Sequence, residues 1–356
     1  MLVKGSACNT DQQFMAKVVL GIGTSHSPLL VLSGQEWECR SDDDRRNPSL
    51  NTLDGRRVSY DQLAAERNDA YLDRCKPELF SVLAVEAGYA IDRLSRALEQ
   101  ARPDVVIVIG DDQGELFGPE NQPALCVYHG NEMTMKPFDQ FVDLPSWADK
   151  NFWSGYRMDH SHTYPVASDL ALDIVNGLIT RGVDVTSAAS IPISKSRGFG
   201  HAFGFIIDKL MTNIEVPIIP VLLNTYFPPN TPTAARCYEI GEKLRRALEA
   251  SPINARVAVV ASGGLSHFLC EEHWDREILD ALKNKKVDIL KQIPQEALQS
   301  GSSEVRNWIV VAGIVEDMQM DYAHYIPVYR TPAGTGIGLG FATWKKNALS
   351  SVDGSG

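Results

Sequence analysis

The chain has 356 residues, of which 44% are hydrophobic, and this is enough to bury a large core in one large domain or two small ones. The formal net charge of −11 and the lack of a Lys/Arg cluster argue against a nucleic-acid partner. No apolar run approaches the ~18 to 20 residues of a membrane span, and residues 1–14 lack the apolar core of a signal peptide. We therefore expect a cytoplasmic protein without a nucleic-acid or membrane partner.

The first predicted strand begins at Val18 and runs into a turn of small residues that ends at Pro28, in the sequence VVLGIGTSHSP. Residues such as Gly21 and Gly23 are poor choices for a packed core, but they let a backbone bend sharply and bring one imidazole into a cleft. We interpret His26, the histidine of this turn, as a metal ligand. A loop histidine satisfied by ordinary hydrogen bonds is the alternative.

The next segments predict a loop, a helix and a buried strand. Residues 36–60 are dense in Asp, Arg, Asn, Pro and Gly, which predicts a long loop, either a lid or a solvated excursion. Apolar residues recur at helical spacing over 79–100, and the buried-strand pattern DVVIVIG covers 104–110. Ligands of open α/β sheets bind at the carboxyl ends of strands. The DDQGE turn, residues 111–115, is therefore expected to face the same cleft as His26, with an exposed acidic turn as the alternative.

Two histidine-bearing segments follow. The sequence DHSHTYP contains His160 and His162. An HxH pair on a strand can bind metal, whereas the same pair in a loop before proline is more often ordinary polar surface. A helix is predicted from Ser168 to Arg181. A second, apolar helix is predicted within 198–210, and His201 lies between glycines at its start. Because a helix N-terminus disfavours an imidazolium, we expect His201 to stay neutral.

The second half of the chain adds two more buried strands, at 216–223 and 256–261. The first of them ends in three polar residues, Asn224, Thr225 and Tyr226. The second leads into SGGLSH, so that His267 repeats the opening arrangement of an apolar strand, a small-residue turn and one histidine. Two such arrangements on different strands rarely arise from packing alone.

A later helix is predicted with Ser302 or Ser303 as its N-cap and with Glu304 in its first turn. Glu304 there either complements the helix dipole or, if it faces the cleft, has a functional role. The glycine-rich block from Tyr325 to Trp344 predicts a closing pair of strands.

Strands that alternate with helices predict an α/β fold. We expect a central, mostly parallel sheet flanked by helices, in a single large domain that covers residues 15–345. Residues 1–14 are expected to be a disordered N-terminal extension, and residues 346–356 a frayed tail.

Six segments in this order resemble the class III extradiol ring-cleavage dioxygenases, of the type of the catalytic subunit of protocatechuate 4,5-dioxygenase and its gallate and 3-O-methylgallate relatives. The segments are TSHSP, GDDQ, GHAFGF, PVLLNTYFPPN, ASGGLSHF and GSSEVRNWI. The resemblance covers about 15–344. It implies extradiol (meta) cleavage of a catechol- or gallate-type aromatic by O₂, with non-heme Fe(II) held by two histidines and one carboxylate. The partners would be a small aromatic diol and O₂, and a self-sufficient homo-oligomer is expected.

The resemblance also implies roles for individual residues. His26 matches the first iron ligand, and Glu304 falls where the family places its carboxylate ligand. His267 falls on the histidine that serves as acid and base, which must remove a phenolic proton and later return it. His201 falls near a second active-site histidine that contacts substrate. The residues expected to bind substrate substituents are Asn224, Thr225 and Tyr226.

The second iron histidine has no counterpart in this chain. The common family pattern there is Asn-Asp-His, whereas this chain has Asp111, Asp112 and Gln113. An amide oxygen binds Fe(II) less tightly than an imidazole does. Gln113 as an oxygen ligand is the preferred prediction because it keeps register with the family. The alternatives are that Asp112 or Asp111 substitutes, or that His160 or His162 enters from the mid-chain segment.

Two other classes of function stay open at this point. Gln113 in place of a histidine is also compatible with a protein of the same fold that has lost catalysis and serves as a binding protein. A metal hydrolase that uses His26, Asp112 and Glu304, with a metal-bound water as nucleophile, is the other alternative.

Overall fold

The computed structural model describes residues 15–137, 150–191 and 197–346. The predicted extension, residues 1–14, and residues 347–356 of the predicted tail lie outside the described residues. The strands are β1 Lys17–Thr24, β2 Leu50–Asn51, β3 Arg57–Val58, β4 Val105–Asp111, β5 Leu125–Tyr128, β6 Glu132–Met135, β7 His162–Pro165, β8 Thr186–Ala188, β9 Ile218–Leu223, β10 Arg256–Ser262, β11 His267–Leu269, β12 Gln319–Tyr329 and β13 Thr335–Lys345. The α-helices are α1 Cys39–Arg46, α2 Tyr60–Arg67, α3 Pro77–Ala101, α4 Lys150–Ser154, α5 Ser168–Thr180, α6 His201–Lys209, α7 Ala234–Glu249, α8 Glu272–Lys283, α9 Val287–Lys291 and α10 Val305–Ile314.

One large mixed sheet organises the fold. Its order is β11–β13–β1–β10–β4–β9–β5–β8, with β12 paired to β13. The central strands β1, β10, β4 and β9 are parallel, while β13 and β5 run antiparallel to their inner neighbours. The predicted single α/β domain is confirmed, and the antiparallel strands lie towards the edges of the sheet. The predicted closing strand pair is the antiparallel pair of β12 and β13.

Helices cover both faces of the sheet because successive side chains of a strand point to opposite faces. In β4, Ile107 and Ile109 pack with α5, α7 and α10, while Val106 and Val108 pack with α3 and α6. A strand buried on both faces must be apolar throughout, which explains the unbroken run that marked β4 in the sequence. The helix predicted at 79–100 is α3, and the helix predicted at 168–181 is α5.

The parallel strands carry their carboxyl ends to one edge of the sheet. There β1, β4, β9 and β10 end at Thr24, Asp111, Leu223 and Ser262. The polar turns after these strands therefore lie at one edge of the sheet, and the DDQGE turn lies beside His26, as expected.

The segment 36–60 is not a plain loop, and that prediction was wrong. It contains α1 and the β2–β3 hairpin. The sequence of α1, CRSDDDRR, has no apolar periodicity, so no pattern marks it as a helix. Instead a buried ion pair holds it: Nε and Nη2 of Arg330 donate to the two carboxylate oxygens of Asp44, at 2.7 and 2.9 Å. This contact between residues far apart in the chain decides the conformation.

The structural role of Gly21 and Gly23 also differs from the predicted one. Both lie inside β1, paired with β13, rather than in the turn. A Cβ on Gly21 would lie 2.7 Å from Val315 Cγ1, and a Cβ on Gly23 would overlap the ring of Trp308. These glycines therefore make room for tightly packed side chains rather than for a bend.

Among the described residues, no helix combines the length and the apolar character that crossing a lipid bilayer requires.

We predict that Gly23→Ala lowers the free energy of unfolding by about 1–3 kcal/mol, because the added methyl group must displace the buried Trp308 ring. Urea unfolding followed by circular dichroism measures the change. The matched control is Gly88→Ala in α3, where a Cβ meets nothing within 4 Å and where alanine is the better helix former. Equal stability of the two variants would contradict the packing argument.

Candidate metal centre and active site

Three buried side chains converge at the carboxyl edge of the sheet. His26 follows β1, Asp111 ends β4, and Glu304 directly precedes α10. The distance from His26 Nε2 to Glu304 Oε2 is 3.2 Å, and the distance from His26 Nε2 to Asp111 Oδ1 is 4.0 Å. One imidazole and two carboxylates thus lie close together in a buried part of the protein.

The tautomer of His26 follows from its hydrogen bonds. Its Nδ1 lies 3.0 Å from Ser262 Oγ, and that hydroxyl donates its own proton to the Ala202 carbonyl at 2.6 Å. Ser262 must therefore accept from His26 Nδ1–H, so Nε2 is the nitrogen that faces the carboxylates, and in the neutral imidazole it carries the lone pair. Nε2 is buried and has no hydrogen-bond partner among the described residues.

The lone pair of a neutral imidazole is repelled by facing carboxylates, and either a proton on Nε2 or a cation between the groups removes that repulsion. A divalent metal ion resolves this conflict, since neutral imidazole nitrogen and carboxylate oxygen are ordinary metal ligands. A hydrogen bond on the far side of a ligating histidine is also the usual way in which its ring is oriented. The donor set therefore fits a divalent metal.

Glu304 does not lie in an α-helical first turn, and that prediction was wrong. Residues Ser300–Glu304 form a 3₁₀ turn, and α10 begins at Val305. Neither predicted serine caps the helix. The Ser302 hydroxyl instead bonds to the backbone of His267, accepting from its N–H at 3.1 Å and donating to its carbonyl at 3.2 Å. The turn is thereby tied to the segment that carries His267, and Glu304 points into the cleft.

Glu304 contacts both backbone and side-chain groups of the site. Its Oε2 accepts from the Gly264 N–H at 2.6 Å, and its Oε1 lies 3.2 Å from His267 Nε2. Burial raises the pKa of Glu304, but the nearby imidazoles of His267 and His26 outweigh burial and hold it well below the usual range. Glu304 is therefore a carboxylate.

Gln113 lies at the site, as predicted, and its amide nitrogen faces two carboxylates. It donates to Asp111 Oδ2 at 3.0 Å and to Glu304 Oε1 at 3.3 Å. Its backbone N–H donates to Glu115 Oε2 at 2.6 Å. In this orientation the amide presents a donor rather than a lone pair to the space beside His26.

The other candidates for the missing ligand differ in position. Asp112 accepts from the backbone N–H groups of Leu116 and Phe117 at 2.8 and 3.0 Å, so it holds its own turn. Burial and the neighbouring Glu115 raise the pKa of Asp112 to about 7. The third candidate group, His160 and His162, lies around Asp159, with nitrogen-to-oxygen distances of 2.8 and 2.9 Å. This group is separate from the one that contains His26, Asp111 and His201, whose ligand atoms all lie within 4.8 Å of one another.

His267 is held on both sides of its ring. Its Nδ1–H donates to the Leu265 carbonyl at 2.9 Å, which directs Nε2 at Glu304. Burial lowers the pKa of His267, but the Glu304 carboxylate and the Leu265 carbonyl outweigh burial and raise it. The backbone of Gly301 lies against the ring, because a Cβ there would overlap His267. The ring therefore has one position.

His201 is the first residue of α6, as predicted, but it is not neutral. Its Nδ1 forms a short ion pair with Glu115. Burial lowers the pKa of His201, but Glu115 outweighs burial and raises it to about 10. The expectation from the helix N-terminus was wrong because a buried carboxylate from the β4 turn overrides the helix dipole. The ring of His201 lies edge-on to His26, with 4.6 Å between the ring centroids.

The three residues expected to bind substrate behave differently from one another. Asn224 is occupied within its own loop: its amide donates to the carbonyls of Phe227 and Asn230, and it accepts from the Phe227 N–H. Thr225 and Tyr226 line a cavity of about 660 Å³, together with Ser300 and two arginines, Arg57 and Arg306. Burial, followed by the charges of Glu304 and Asp111, raises the pKa of the Tyr226 phenol well above its usual value. The cavity adjoins the site through Ser300, which lines it and begins the turn that ends at Glu304.

Sequence reasoning missed four residues that shape the site, namely Ser262, Glu115, Tyr156 and Asn307. Ser262 ends β10, and Glu115 belongs to the DDQGE turn, so both lay in segments already singled out. Tyr156 donates its hydroxyl to the His26 carbonyl at 2.9 Å, and nothing in the local sequence marks it. Asn307 donates to the Ser262 carbonyl and to Asp111 Oδ1. Its position one helical turn after Glu304 was the available signal.

Comparison with known proteins agrees with this geometry. Residues 77–340 match the family model "Catalytic LigB subunit of aromatic ring-opening dioxygenase", and the chain belongs to this family.

The chain is 33% identical over 156 residues to a gallate dioxygenase of Pseudomonas putida, and the aligned part covers 40% of this chain and 45% of that protein. Two proteins named 2,3-dihydroxyphenylpropionate/2,3-dihydroxicinnamic acid 1,2-dioxygenase are also similar. That of Comamonas testosteroni is 26% identical over 178 residues, 50% of this chain and 47% of that protein. That of Cupriavidus necator is 29% identical over 197 residues, 55% of this chain and 52% of that protein. The chain spans about half the length of the curated relatives it matches.

We predict that His26→Ala removes the bound metal, because the variant loses the buried lone pair that faces both carboxylates. Elemental analysis of the protein after desalting gives the metal content per chain. His160→Ala is the matched control, since it removes an imidazole from the separate Asp159 group and should keep full metal content. Full occupancy in His26→Ala would refute the ligand assignment.

Proposed function

We propose that this protein is a metal-dependent extradiol ring-cleavage dioxygenase, which cleaves a catechol- or gallate-type aromatic with O₂ and uses Fe(II). The observation that carries the proposal is the buried, unpartnered His26 Nε2, which faces Glu304 and Asp111 with His267 and His201 beside it. Membership of the LigB family supports the same reaction. Names of similar proteins, gallate dioxygenase among them, support an aromatic diol as substrate.

His26 and Glu304 would hold the metal, and the turn of residues 111–113 would complete its set of ligands. Bound Fe(II) supplies a Lewis acid with open positions for the diol and O₂, and a path for electrons between them. The side chains of the protein would transfer protons to and from the substrate and orient it at the site.

His267 is the proposed acid and base. Its Nδ1–H is committed to the Leu265 carbonyl, so Nε2 is the nitrogen that can exchange a proton with substrate. With Nε2 next to Glu304, the imidazole lies beside the group that would hold the metal. In its neutral form it takes a phenolic proton from the diol, and in its protonated form, which the Glu304 carboxylate stabilises, it returns a proton as the ring opens. Its buried position keeps bulk water from competing for that proton.

His201 is proposed to contact substrate. Glu115 occupies its Nδ1 and keeps the ring protonated, so the Nε2–H is the donor available to an oxygen of the substrate. A charged donor of this kind binds an anionic oxygen more strongly than a neutral one does. Glu115 is therefore a positioning residue that acts through His201.

The cavity beside Tyr226 is the proposed place for the substituents of the aromatic ring. Tyr226 and Thr225 face it, and Asn224 shapes it indirectly by closing the loop that carries them. Arg57 is exposed at the cavity, and Arg306 is bound to backbone carbonyls and to Gln295. The two arginines give the cavity positive charge in an acidic protein, which favours an anionic substituent on the ring. A cytoplasmic location and a homo-oligomeric assembly stay predictions from the sequence.

Oxygen consumption tests the proposed function. The protein is loaded with Fe(II) without air, then given gallate, protocatechuate or 2,3-dihydroxyphenylpropionate in an oxygen electrode. One O₂ consumed per diol consumed is expected, since a dioxygenase inserts both atoms. A metal-loaded protein that takes up no O₂ with any diol would overturn the proposal in favour of a binding protein. The hydrolase alternative is disfavoured because the Asp112 carboxylate is bound to backbone N–H groups.

We predict that His267→Phe loses at least ~100-fold in kcat, the usual scale of a positioned acid or base, and keeps its metal. Phenylalanine fills the space of the ring beside Gly301 but carries no proton. Elemental analysis and oxygen uptake are measured on the same sample. The exposed His273→Phe, on α8, is the control and should keep both. Loss of metal together with activity would make His267 a ligand instead.

Tyr226→Phe is expected to raise KM for the diol by about 2- to 10-fold with little change in kcat, the effect of losing one hydrogen bond in binding. Steady-state oxygen uptake at varied diol concentration separates the two constants. The control, Tyr89→Phe, removes a hydroxyl from an exposed position on α3 and should leave both constants unchanged. An unchanged KM in Tyr226→Phe would exclude Tyr226 from the substrate site.

A further inference from the structure

We infer that Asp111, rather than Gln113, is the third protein ligand of the metal, so that one imidazole and two carboxylates form the centre. The inference rests on the proposed function only in taking this site to be a metal centre. It concerns a residue that ends a central strand rather than one in the following turn.

The distances place Asp111 within reach of the same ion as His26 and Glu304. Two atoms bound to one small divalent ion at about 2.1 Å each lie no more than about 4.2 Å apart. His26 Nε2 lies 4.0 Å from Asp111 Oδ1 and 3.2 Å from Glu304 Oε2. Each carboxylate meets this condition with His26. Asp111 also belongs, with His26 and His201, to a group whose ligand atoms all lie within 4.8 Å of one another, so His201 is the competing ligand.

The one ion-pair partner of Asp111 among the described residues is His26, which Asp111 shares with Glu304. Asp111 is fully buried, and its hydrogen-bond donors are two neutral amides, Gln113 Nε2 at 3.0 Å and Asn307 Nδ2 at 3.3 Å. Within the described part of the chain, no lysine or arginine forms an ion pair with it. The neighbouring carboxylates differ, because Glu115 pairs with His201 and Glu304 pairs with His267. An uncompensated buried carboxylate is costly, and a bound divalent ion removes that cost.

Gln113 has the contacts of a residue that orients ligands. One amide nitrogen donates to Asp111 Oδ2 and to Glu304 Oε1, so it holds one oxygen of each carboxylate. The remaining oxygens, Asp111 Oδ1 and Glu304 Oε2, are the ones nearest His26 Nε2. Hydrogen bonds of this kind turn ligand oxygens towards a metal and tune its affinity.

Two carboxylates and one imidazole are a harder donor set than two imidazoles and one carboxylate. Hard oxygen donors favour Mn²⁺ and Fe²⁺ relative to Zn²⁺ and Cu²⁺, which prefer nitrogen and sulfur. The centre is also electrically balanced, since two carboxylates neutralise a divalent ion.

Binding of Mn²⁺ alone tests the inference without any turnover. The electron paramagnetic resonance signal of free Mn²⁺ is followed during titration of the metal-free protein, and one ion per chain is expected. Asp111→Asn keeps the size of the side chain and should weaken binding by more than ~100-fold, beyond the usual 10–100-fold effect of a residue behind the ligands. Gln113→Ala should weaken it by about 10-fold. Asp159→Asn, in the separate histidine group, is the control and should bind as the unaltered protein does.

A rescue variant sharpens the test. In the double variant Asp111→Asn with Gln113→His, an imidazole replaces the lost carboxylate, so metal binding should return with the preference shifted from Mn²⁺ to Zn²⁺. Should Asp111→Asn fail to fold, pulsed electron paramagnetic resonance of Mn²⁺ in the unaltered protein gives the number of coordinated imidazole nitrogens. One nitrogen is expected, and two would make His201 the ligand in place of Asp111.

Several outcomes overturn the inference. It falls if Asp111→Asn binds Mn²⁺ as tightly as the unaltered protein does, or if Gln113→Ala loses binding by the larger factor. Failure of the proposed function looks different. Oxygen uptake with diols would then be absent while Asp111→Asn still weakens Mn²⁺ binding, whereas uptake with full Mn²⁺ affinity in Asp111→Asn rejects Asp111 alone.

Discussion

Three carboxylates, Asp111, Glu115 and Glu304, are buried together at one end of the sheet, and the need to compensate their charge explains most of what surrounds them. Each buried charge requires a partner because water cannot reach it. His201 forms an ion pair with Glu115. Glu304 forms an ion pair with His267 and accepts a hydrogen bond from the Gly264 N–H. The remaining negative charge faces His26 Nε2, while Nδ1–H of the same ring is bound to Ser262 Oγ. A buried site with excess negative charge is one that a bound cation stabilises.

The compensation works only because backbone comes very close to the charged groups. Gly200 lies beside the Glu115 carboxylate, where a Cβ would be 2.5 Å from its Cδ. Gly301 lies against the His267 ring in the same way. The small residues around the site are thus matched to particular side chains of other segments. They bring backbone close to an imidazole or a carboxylate and leave no room for solvent.

The parallel centre of the sheet supplies the geometry. Strands β1, β4 and β10 are neighbours, so His26, Asp111 and the turn that leads to His267 begin at one level. The 3₁₀ turn before α10 adds Glu304. Trp308 of α10 ties this helix to the turn after β10, because its Nε1 donates to the Gly263 carbonyl at 2.8 Å. Asp275 of α8 stabilises the same turn, because it accepts from the N–H and the hydroxyl of Ser266. The proposed ligands and the proposed acid and base therefore lie at the ends of buried strands and a helix, elements that can position a site precisely.

The sequence by itself determined the α/β class, the four buried strands and the polar turns at their ends, because burial on both faces leaves an unbroken apolar run that needs no distant information. It also indicated His26, His267, His201 and Glu304, since each interrupts a pattern in a turn or at a helix end. Only the tertiary structure decided what depends on segments far apart in the chain. Examples are the proton on His26, set by Ser262 and Ala202, and the charge of His201, set by Glu115. The same holds for the direction of the Gln113 amide, which is set by Asp111 and Glu304. Local patterns report which residues are buried, whereas hydrogen bonds between distant residues decide which atom of each side chain faces the site.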